Sequence, residues 1–255
     1  MKLDSTELDE RGFSVLPAAL TPSQCDALIA LYAQPSLFRS RVVMARHNFG
    51  RGEYRYFAYP LPPLVEELRT ALYPELVPIA RRWTDGAYPP THAEYLERCR
   101  AAGQTRPTPL LLRYEAGDYN CLHRDLYGEN VFPLQVAFLL SSPGEDFTGG
   151  ELVLTEQRPR MQSRVEVVPL RRGDGVVFAV NQRPVRGTRG TYRVAMRHGV
   201  SRIRSGLRYT MGIIFHDAAP SSKDLDSHEV DSKDLDSKDL DSKEQDDARA
   251  LPLTG

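Results

Sequence analysis

The sequence predicts an α+β protein with a mainly β core, in which helices come first and strands follow. Two observations carry this prediction: helical periods and capping signals precede Pro107, and Gly and Pro turns divide the chain beyond it into short β-branched runs. Several short strands with such turns are typical of a sandwich or jelly roll. At 255 residues, 41% of them hydrophobic, the chain is long enough to bury one full core.

The N-terminal elements follow from local signals. Residues 12–16 form a short apolar run that predicts a strand. A helix is predicted from Thr21, which serves as N-cap, to about Tyr32, because Pro22 is suited to the first helical position.

Two further helices are predicted before the strands begin. Residues 64–83 have a helical period but contain Pro74 and Pro78, so we expect this helix to be broken or kinked. A third helix starts at Thr91, which forms a capping box with Glu94. From Pro107 onward the strands are predicted at 108–114, 131–141, 150–155, 164–169, 175–180, 191–197 and 208–215.

The C-terminal segment, residues 220–255, is predicted to be a disordered acidic tail. Residues 222–246 form five pentads such as Ser-Lys-Asp-Leu-Asp, which are too charged to bury a core. Residues 221–255 carry five Lys/Arg and eleven Asp/Glu, which leaves 28 basic and 23 acidic residues elsewhere. The formal net charge of −1 therefore hides a mildly basic domain over residues 1–219.

A metal site is the most informative prediction from the sequence. His123 and Asp125 are two residues apart on extended chain, where such positions share a face, and His198 lies downstream. Two imidazoles and one carboxylate on one face of a metal ion leave the opposite positions open, as in the facial triad of non-haem Fe(II) oxygenases. His92 and Glu94 have the same spacing, but on a helix they point in different directions.

A second group of residues predicts an anion site near this metal. Arg208 and Thr210 project from the same face of a buried strand, ten residues after His198. A buried guanidinium needs an anionic partner, which is either a structural carboxylate or a dicarboxylic co-substrate. Tyr114 could donate its phenol to the same carboxylate, or it could be a core tyrosine at a strand end.

Residues 39–59 interleave arginines with aromatic residues. This composition suits the stacking and phosphate contacts of a flipped base or single strand. The alternative is a solvated loop whose aromatic residues pack on the barrel. The candidate substrate-binding residues of this segment are Arg46, His47, Arg51, Tyr54 and Tyr56.

Taken together, the motifs resemble the Fe(II)/2-oxoglutarate-dependent dioxygenase superfamily over about residues 11–217. The residues that carry the resemblance are, in order, Tyr114, His123-x-Asp125, Gly149-Gly150-Glu151-Leu152, Gly173-Asp174-Gly175, His198 and Arg208-x-Thr210. The resemblance implies a double-stranded β-helix braced by N-terminal helices, forming one dioxygenase domain over residues 1–219.

The same resemblance implies cofactors and roles. Fe(II) would be held by His123, Asp125 and His198. The co-substrate 2-oxoglutarate would be bound by Arg208 and Thr210, with Tyr114 assisting. With O2, such an enzyme hydroxylates a substrate C–H bond and releases succinate and CO2.

The substrate is less clearly predicted than the reaction. The chain is similar to a bacterial family assigned to oxidative demethylation of damaged nucleic acid, which makes nucleic acid the expected partner. The Gly-Gly-Glu-Leu turn is more similar to prolyl-hydroxylase relatives, so the alternative is hydroxylation of a protein side chain or a small metabolite. A third interpretation is a non-catalytic, cupin-like metal-binding barrel.

Other features concern the cellular setting. No apolar run approaches the ~18 residues needed to cross a membrane, so none is expected to do so. The N-terminal residues lack the apolar segment of a secretory signal. The three cysteines, Cys25, Cys99 and Cys121, are widely spaced, which suggests a reducing cytoplasm and no disulfide.

Overall fold

The computed structural model describes residues 3–84, 86–188 and 190–220. The predicted disordered tail therefore lies outside the described residues, apart from Pro220. The helices are α1 (Ser5–Arg11), α2 (Pro22–Leu31), α3 (Pro63–Thr84) and α4 (His92–Ala101). The strands of the N-terminal half are β1 (Phe13–Leu16), β2 (Phe38–Val43), β3 (Gly50–Arg51) and β4 (Glu53–Phe57). The strands of the C-terminal half are β5 (Leu110–Glu115), β6 (Tyr119–His123), β7 (Leu134–Leu139), β8 (Phe147–Gly149), β9 (Leu152–Gln157), β10 (Arg164–Val168), β11 (Gly175–Ala179), β12 (Gln182–Gly187), β13 (Gly190–Val200) and β14 (Ile203–Ile214).

The strands form two antiparallel sheets. The major sheet has the order β1-β11-β7-β14-β5-β4-β2, with β8 added to β14. The minor sheet has the order β10-β9-β13-β6-β3, with β12 added to β13. Strands that neighbour one another in space are mostly distant in sequence, as in a jelly roll. The predicted α+β jelly roll with N-terminal helices is confirmed.

The helices cover the major sheet and share one hydrophobic core with it. Leu68, Leu72 and Leu76 of α3 belong to the same buried cluster as Phe138 of β7 and Ile213 of β14. Burial of this apolar face stabilises the helical layer, at roughly 25 cal/mol per Å² removed from water. The outer face of the major sheet is therefore closed, and its inner face is left for a cavity between the two sheets.

Of the two predicted alternatives for the long helix, a break or a kink, the break is wrong, because α3 continues through both Pro74 and Pro78. Each proline removes one backbone hydrogen bond and crowds the preceding turn. The helix is nevertheless held by its buried face, where Tyr73, Val77 and Trp83 lie in the core around the prolines. Tertiary packing here outweighs a local preference that the sequence alone could not weigh.

Several elements have no counterpart in the sequence prediction. Helix α1 is about two turns long, and its N-cap Asp4 and C-terminal Gly12 are its main signals. Residues 38–57 contain β2, β3 and β4 rather than a loop. β2 and β4 form one edge of the major sheet, and β3 forms one edge of the minor sheet. Strand β6 was also missed, although its end carries the predicted metal site.

Candidate metal and co-substrate site

The three predicted metal ligands meet between the two sheets. His123 is the last residue of β6 and pairs in register with His198 of β13, so their rings face each other with centroids 4.1 Å apart. Asp125 follows two residues later. Its Oδ2 lies 3.3 Å from His198 Nε2, and its Oδ1 lies 3.5 Å from His123 Nε2. The ligating atoms all lie within 4.8 Å of one another, which is close enough to share one ion.

The protonation of these groups suits a divalent cation. His123 Nδ1 lies 2.8 Å from the Cys121 carbonyl oxygen, to which it donates when it carries the proton, and this leaves Nε2 free for a metal. Burial, reinforced by His198, lowers the pKa of His123 and favours its neutral form. Burial of Asp125 opposes ionisation, but its hydrogen bond and electrostatic interaction with His198, and then its interactions with His123 and Tyr127, outweigh it and hold the pKa of that carboxyl well below its usual range. Metal binding requires these deprotonated forms.

The donor set fits iron. Two imidazole nitrogens and one carboxylate oxygen are the ligands of non-haem Fe(II) oxygenases, and they leave positions open on the metal. His198 and Asp125 are buried and His123 is half-buried, so the open side faces the cavity rather than the core. His92 of the competing pair is buried on α4, where its Nε2 lies 2.9 Å from the Phe215 carbonyl oxygen.

Arg208 lines the same cavity and is itself a buried cation with an unpartnered N–H donor. It is 2% exposed on β14, and it donates from Nη1 to the hydroxyl of Thr210, which projects from the same face. Its Nε has no hydrogen-bond partner among the described residues. Burial lowers the pKa of Arg208 to about 10, so the group is still charged at neutral pH. A buried charged donor without an acceptor is costly, which suggests that a ligand completes it.

Tyr114 closes the inner end of this cavity. It pairs in register with Arg208 across β5 and β14, is fully buried, and its ring centroid lies 5.6 Å from the Arg208 guanidinium. Its hydroxyl accepts a hydrogen bond from Asn120 Nδ2 at 3.4 Å, so its own proton is free for another acceptor. The triad and the Arg208 group line one cavity of about 380 Å³.

The predicted substrate-binding residues divide into two groups. Tyr54 and Tyr56 lie on β4 and line the cavity, and Tyr56 is buried. Arg46, His47 and Arg51 lie on the surface instead and do not line it.

Two of the three surface residues, His47 and Arg51, contact elements that line the cavity. The His47 ring stacks on Phe49, with centroids 5.4 Å apart, and Phe49 lines the cavity although it is 48% exposed. Arg51 lies on β3, which pairs with the metal-bearing strand β6.

Sequence reasoning missed two residues that touch the triad. Tyr127 continues the two-residue spacing of His123 and Asp125, and its hydroxyl donates to Asp125 Oδ1 at 2.7 Å. Gln135 donates from Nε2 to Asp125 Oδ2 at 2.9 Å. A signal for Gln135 was present, because a buried amide in the apolar run 131–141 needs a polar partner.

A family model described as "Oxygenase, catalysing oxidative methylation of damaged DNA" matches residues 52–218, which include all six predicted metal and co-substrate residues. The chain belongs to this oxygenase family. The prediction of an enzyme of the oxygenase class is thereby confirmed.

One curated relative and two solved structures are similar to the chain. The oxygenase is 53% identical over 168 residues to an uncharacterised protein of Mycobacterium tuberculosis, covering 64% of this chain and 72% of that protein. A prolyl-4-hydroxylase of Pseudomonas putida superposes with a TM-score of 0.50 at 13% identity, over 84% of this chain and 97% of the other. A 2OG-Fe(II) oxygenase family protein of Burkholderia pseudomallei gives 0.48 at 18% identity, over 86% and 96%. The likeness to the prolyl-4-hydroxylase shows the fold alone.

Two further observations concern membrane-spanning helices and cysteines. None of the helices in the described residues is long and apolar enough to cross a membrane. Cys25, Cys99 and Cys121 all lie in the described ranges and are free thiols.

Proposed function

We propose that the oxygenase removes alkyl groups from damaged nucleic acid by oxidation that depends on Fe(II) and 2-oxoglutarate. The observation that carries the proposal is the common cavity: the His123, Asp125 and His198 triad lies at one side of it, and the incompletely partnered Arg208 lies at another. A metal-binding barrel without oxygenase activity would have no need of this buried cation.

The residues of the chain would divide the work as follows. His123, Asp125 and His198 would hold the iron, and Arg208 would bind the distal carboxylate of 2-oxoglutarate with help from the Thr210 hydroxyl and the Tyr114 phenol. When bound, iron and 2-oxoglutarate supply the oxidation of a substrate C–H bond by O2, with release of succinate and CO2.

The cavity walls would exclude water from this chemistry. Apolar side chains on both sheets, among them Leu112, Val136, Leu152 and Phe178, line the space between the triad and Arg208. A dry wall strengthens the charge pairing of Arg208 with a carboxylate, since the effective dielectric constant is lower there.

The surface beside the cavity favours a nucleic-acid substrate. Phe49, with His47 stacked on it, offers an exposed aromatic face on which a base could stack, and Arg46 and Arg51 are exposed near it in sequence. The description of the family points to the same substrate. On an N-methyl group, hydroxylation of the carbon would give formaldehyde and the bare amine.

Three free thiols suit such an enzyme in the cytoplasm.

The test is product formation with an N-methylated oligonucleotide, Fe(II) and 2-oxoglutarate. We expect wild-type protein to form succinate and formaldehyde, and Asp125→Ala to fall to the level without enzyme. Asp26→Ala removes an exposed carboxylate that pairs with Arg172 and should match wild type. Equal turnover by Asp125→Ala and wild type would reject the triad.

A prolyl side chain is the second candidate substrate, because the fold is shared with a prolyl-4-hydroxylase. The same assay separates the two when a proline-containing peptide replaces the oligonucleotide. Succinate formation stimulated by the peptide and not by the oligonucleotide would favour the prolyl substrate. A nucleic-acid substrate also predicts that activity falls steeply as salt is added.

A further inference from the structure

Each oxygen of the Asp125 carboxylate is held by a different side chain. The Tyr127 hydroxyl donates to Oδ1 at 2.7 Å, and the Gln135 amide donates to Oδ2 at 2.9 Å. Asp125 is only 8% exposed, so water has little access to replace either donor. The carboxylate plane cannot rotate without breaking both hydrogen bonds.

Both donors are uncharged. The Tyr127 hydroxyl is the donor to Asp125 Oδ1, so it is a neutral phenol. The Gln135 amide does not titrate. A lysine or arginine in either place would neutralise the carboxylate and repel a metal cation, whereas a phenol and an amide orient the carboxylate and leave its charge available.

Tyr127 is itself fixed from two directions. Its hydroxyl accepts a hydrogen bond from Tyr56 at 3.1 Å, which turns its own proton toward Asp125. Its carbonyl accepts from the buried amide of Gln104 at 3.1 Å. Gly128 makes this approach possible, because a Cβ there would lie 2.6 Å from the Gln104 side chain. The segment after β6 is thereby held against the body of the protein.

Gln135 is fixed by the sheet. It lies on β7, a central strand that pairs with β11 on one side and β14 on the other, and it is 4% exposed. Its amide nitrogen also lies 3.2 Å from His198 Nε2. One side chain on a rigid strand thus contacts two of the three members of the triad.

We propose that Tyr127 and Gln135 are positioning residues that clamp Asp125 in the orientation that binds the metal. This inference rests on the proposed iron triad and deepens it. The clamp holds the carboxylate in place before the metal arrives, so less conformational freedom is lost on binding. Partners of metal ligands typically change metal affinity by about 10–100-fold when removed.

The experiment measures Co(II) binding to the full-length protein by calorimetry, together with the visible spectrum of the bound ion. The variants are Tyr127→Phe and Gln135→Met, which keep side-chain size and remove one donor each. Tyr73→Phe is the matched control, since it removes a phenol that donates to the Pro89 carbonyl at 3.1 Å in the helical layer.

We expect wild type and Tyr73→Phe to bind Co(II) equally, and each clamp variant to bind about tenfold or more weakly with an altered spectrum. If Tyr127 and Gln135 had only a structural role, their substitution would lower the unfolding temperature and leave the spectrum of the bound ion unchanged. Unchanged affinity and spectrum in both clamp variants would overturn the clamp and leave the triad standing. Failure of wild type to bind Co(II) would overturn both. Tyr56→Phe, which removes only the outer hydrogen bond, should give a smaller loss and serves if Tyr127→Phe does not fold.

Discussion

Two fully buried arginines occupy opposite sides of the major sheet, and they differ in how well they are satisfied. Arg69 on α3 donates to Asp217 Oδ1 at 2.8 Å, to the Ile214 and Phe215 carbonyl oxygens at 3.0 and 3.2 Å, and to the Tyr59 hydroxyl at 3.0 Å. Arg208 donates to one threonine hydroxyl, and its Nε has no partner among the described residues.

This difference in hydrogen bonding distinguishes an arginine with a structural role, Arg69, from a candidate ligand-binding arginine, Arg208. The neighbours of Arg69 come from the chain itself and fasten the helical layer to the end of β14, and all three of its nitrogens have a partner there. Arg208 lies under the same burial and has a vacant donor that faces a cavity. Burial alone therefore does not mark a binding residue; Arg208 differs from Arg69 because it combines a vacant Nε donor with a place in the lining of the cavity.

The largest effect is expected where the arginine is satisfied. Arg69→Met should lower the free energy of unfolding by about 3–5 kcal/mol, because Asp217 would be left buried without its cation. Urea unfolding followed by circular dichroism measures this. Arg82→Met on the same helix is the control, since its pair with Asp9 is exposed and should contribute no more than about 1 kcal/mol. Equal losses in the two variants would contradict the distinction.

At Arg208 we expect substitution to weaken the use of 2-oxoglutarate and not to lower the free energy of unfolding. Arg208→Met should raise the 2-oxoglutarate concentration for half-maximal turnover by about 10–100-fold, because charge-assisted hydrogen bonds worth about 1.5–3 kcal/mol are lost. Its free energy of unfolding should stay the same or rise, since a buried and poorly partnered charge is removed.

Arg204→Met, on the exposed part of the same strand, should change neither quantity. Succinate formation against 2-oxoglutarate concentration and urea unfolding provide the two measurements. A large loss of stability in Arg208→Met with an unchanged 2-oxoglutarate requirement would assign Arg208 a structural role like that of Arg69.

The smallest effect concerns pH. Burial, and then the charge of Arg69, lower the pKa of His92 from 6.5 to about 3. Between these values the unfolded chain binds a proton that the folded protein does not, so the stabilising contribution is complete above pH 6.5 and is lost as the pH falls. The contribution to the slope is at most about 1.4 kcal/mol per pH unit.

Urea unfolding between about pH 7 and about pH 5 measures that slope. His92→Asn should flatten it, and His47→Asn, at an exposed histidine, should not. A slope that is the same in His92→Asn and wild type would mean that His92 does not carry this pH dependence.

Much of the site was predictable because it depends on local rules. The N-cap at Thr21 and the capping box at Thr91 are present as predicted. The spacing of His123 and Asp125 at a strand end and the shared face of Arg208 and Thr210 are also found, since two-residue alternation holds in any sheet. The continuity of α3 was not predictable, because the apolar contacts that hold it across Pro74 and Pro78 come from distant strands.

The sequence by itself determined the chemistry of the site: which imidazoles, carboxylate and guanidinium are available, and the side of the strand on which each lies. Only the tertiary structure decided that Tyr127 and Gln135 touch Asp125, that Arg69 is paired with Asp217 and that Arg208 Nε has no partner among the described residues. The physical reason is that hydrogen-bond satisfaction is a property of what surrounds a group. In an antiparallel jelly roll, those surroundings come from strands far apart along the chain.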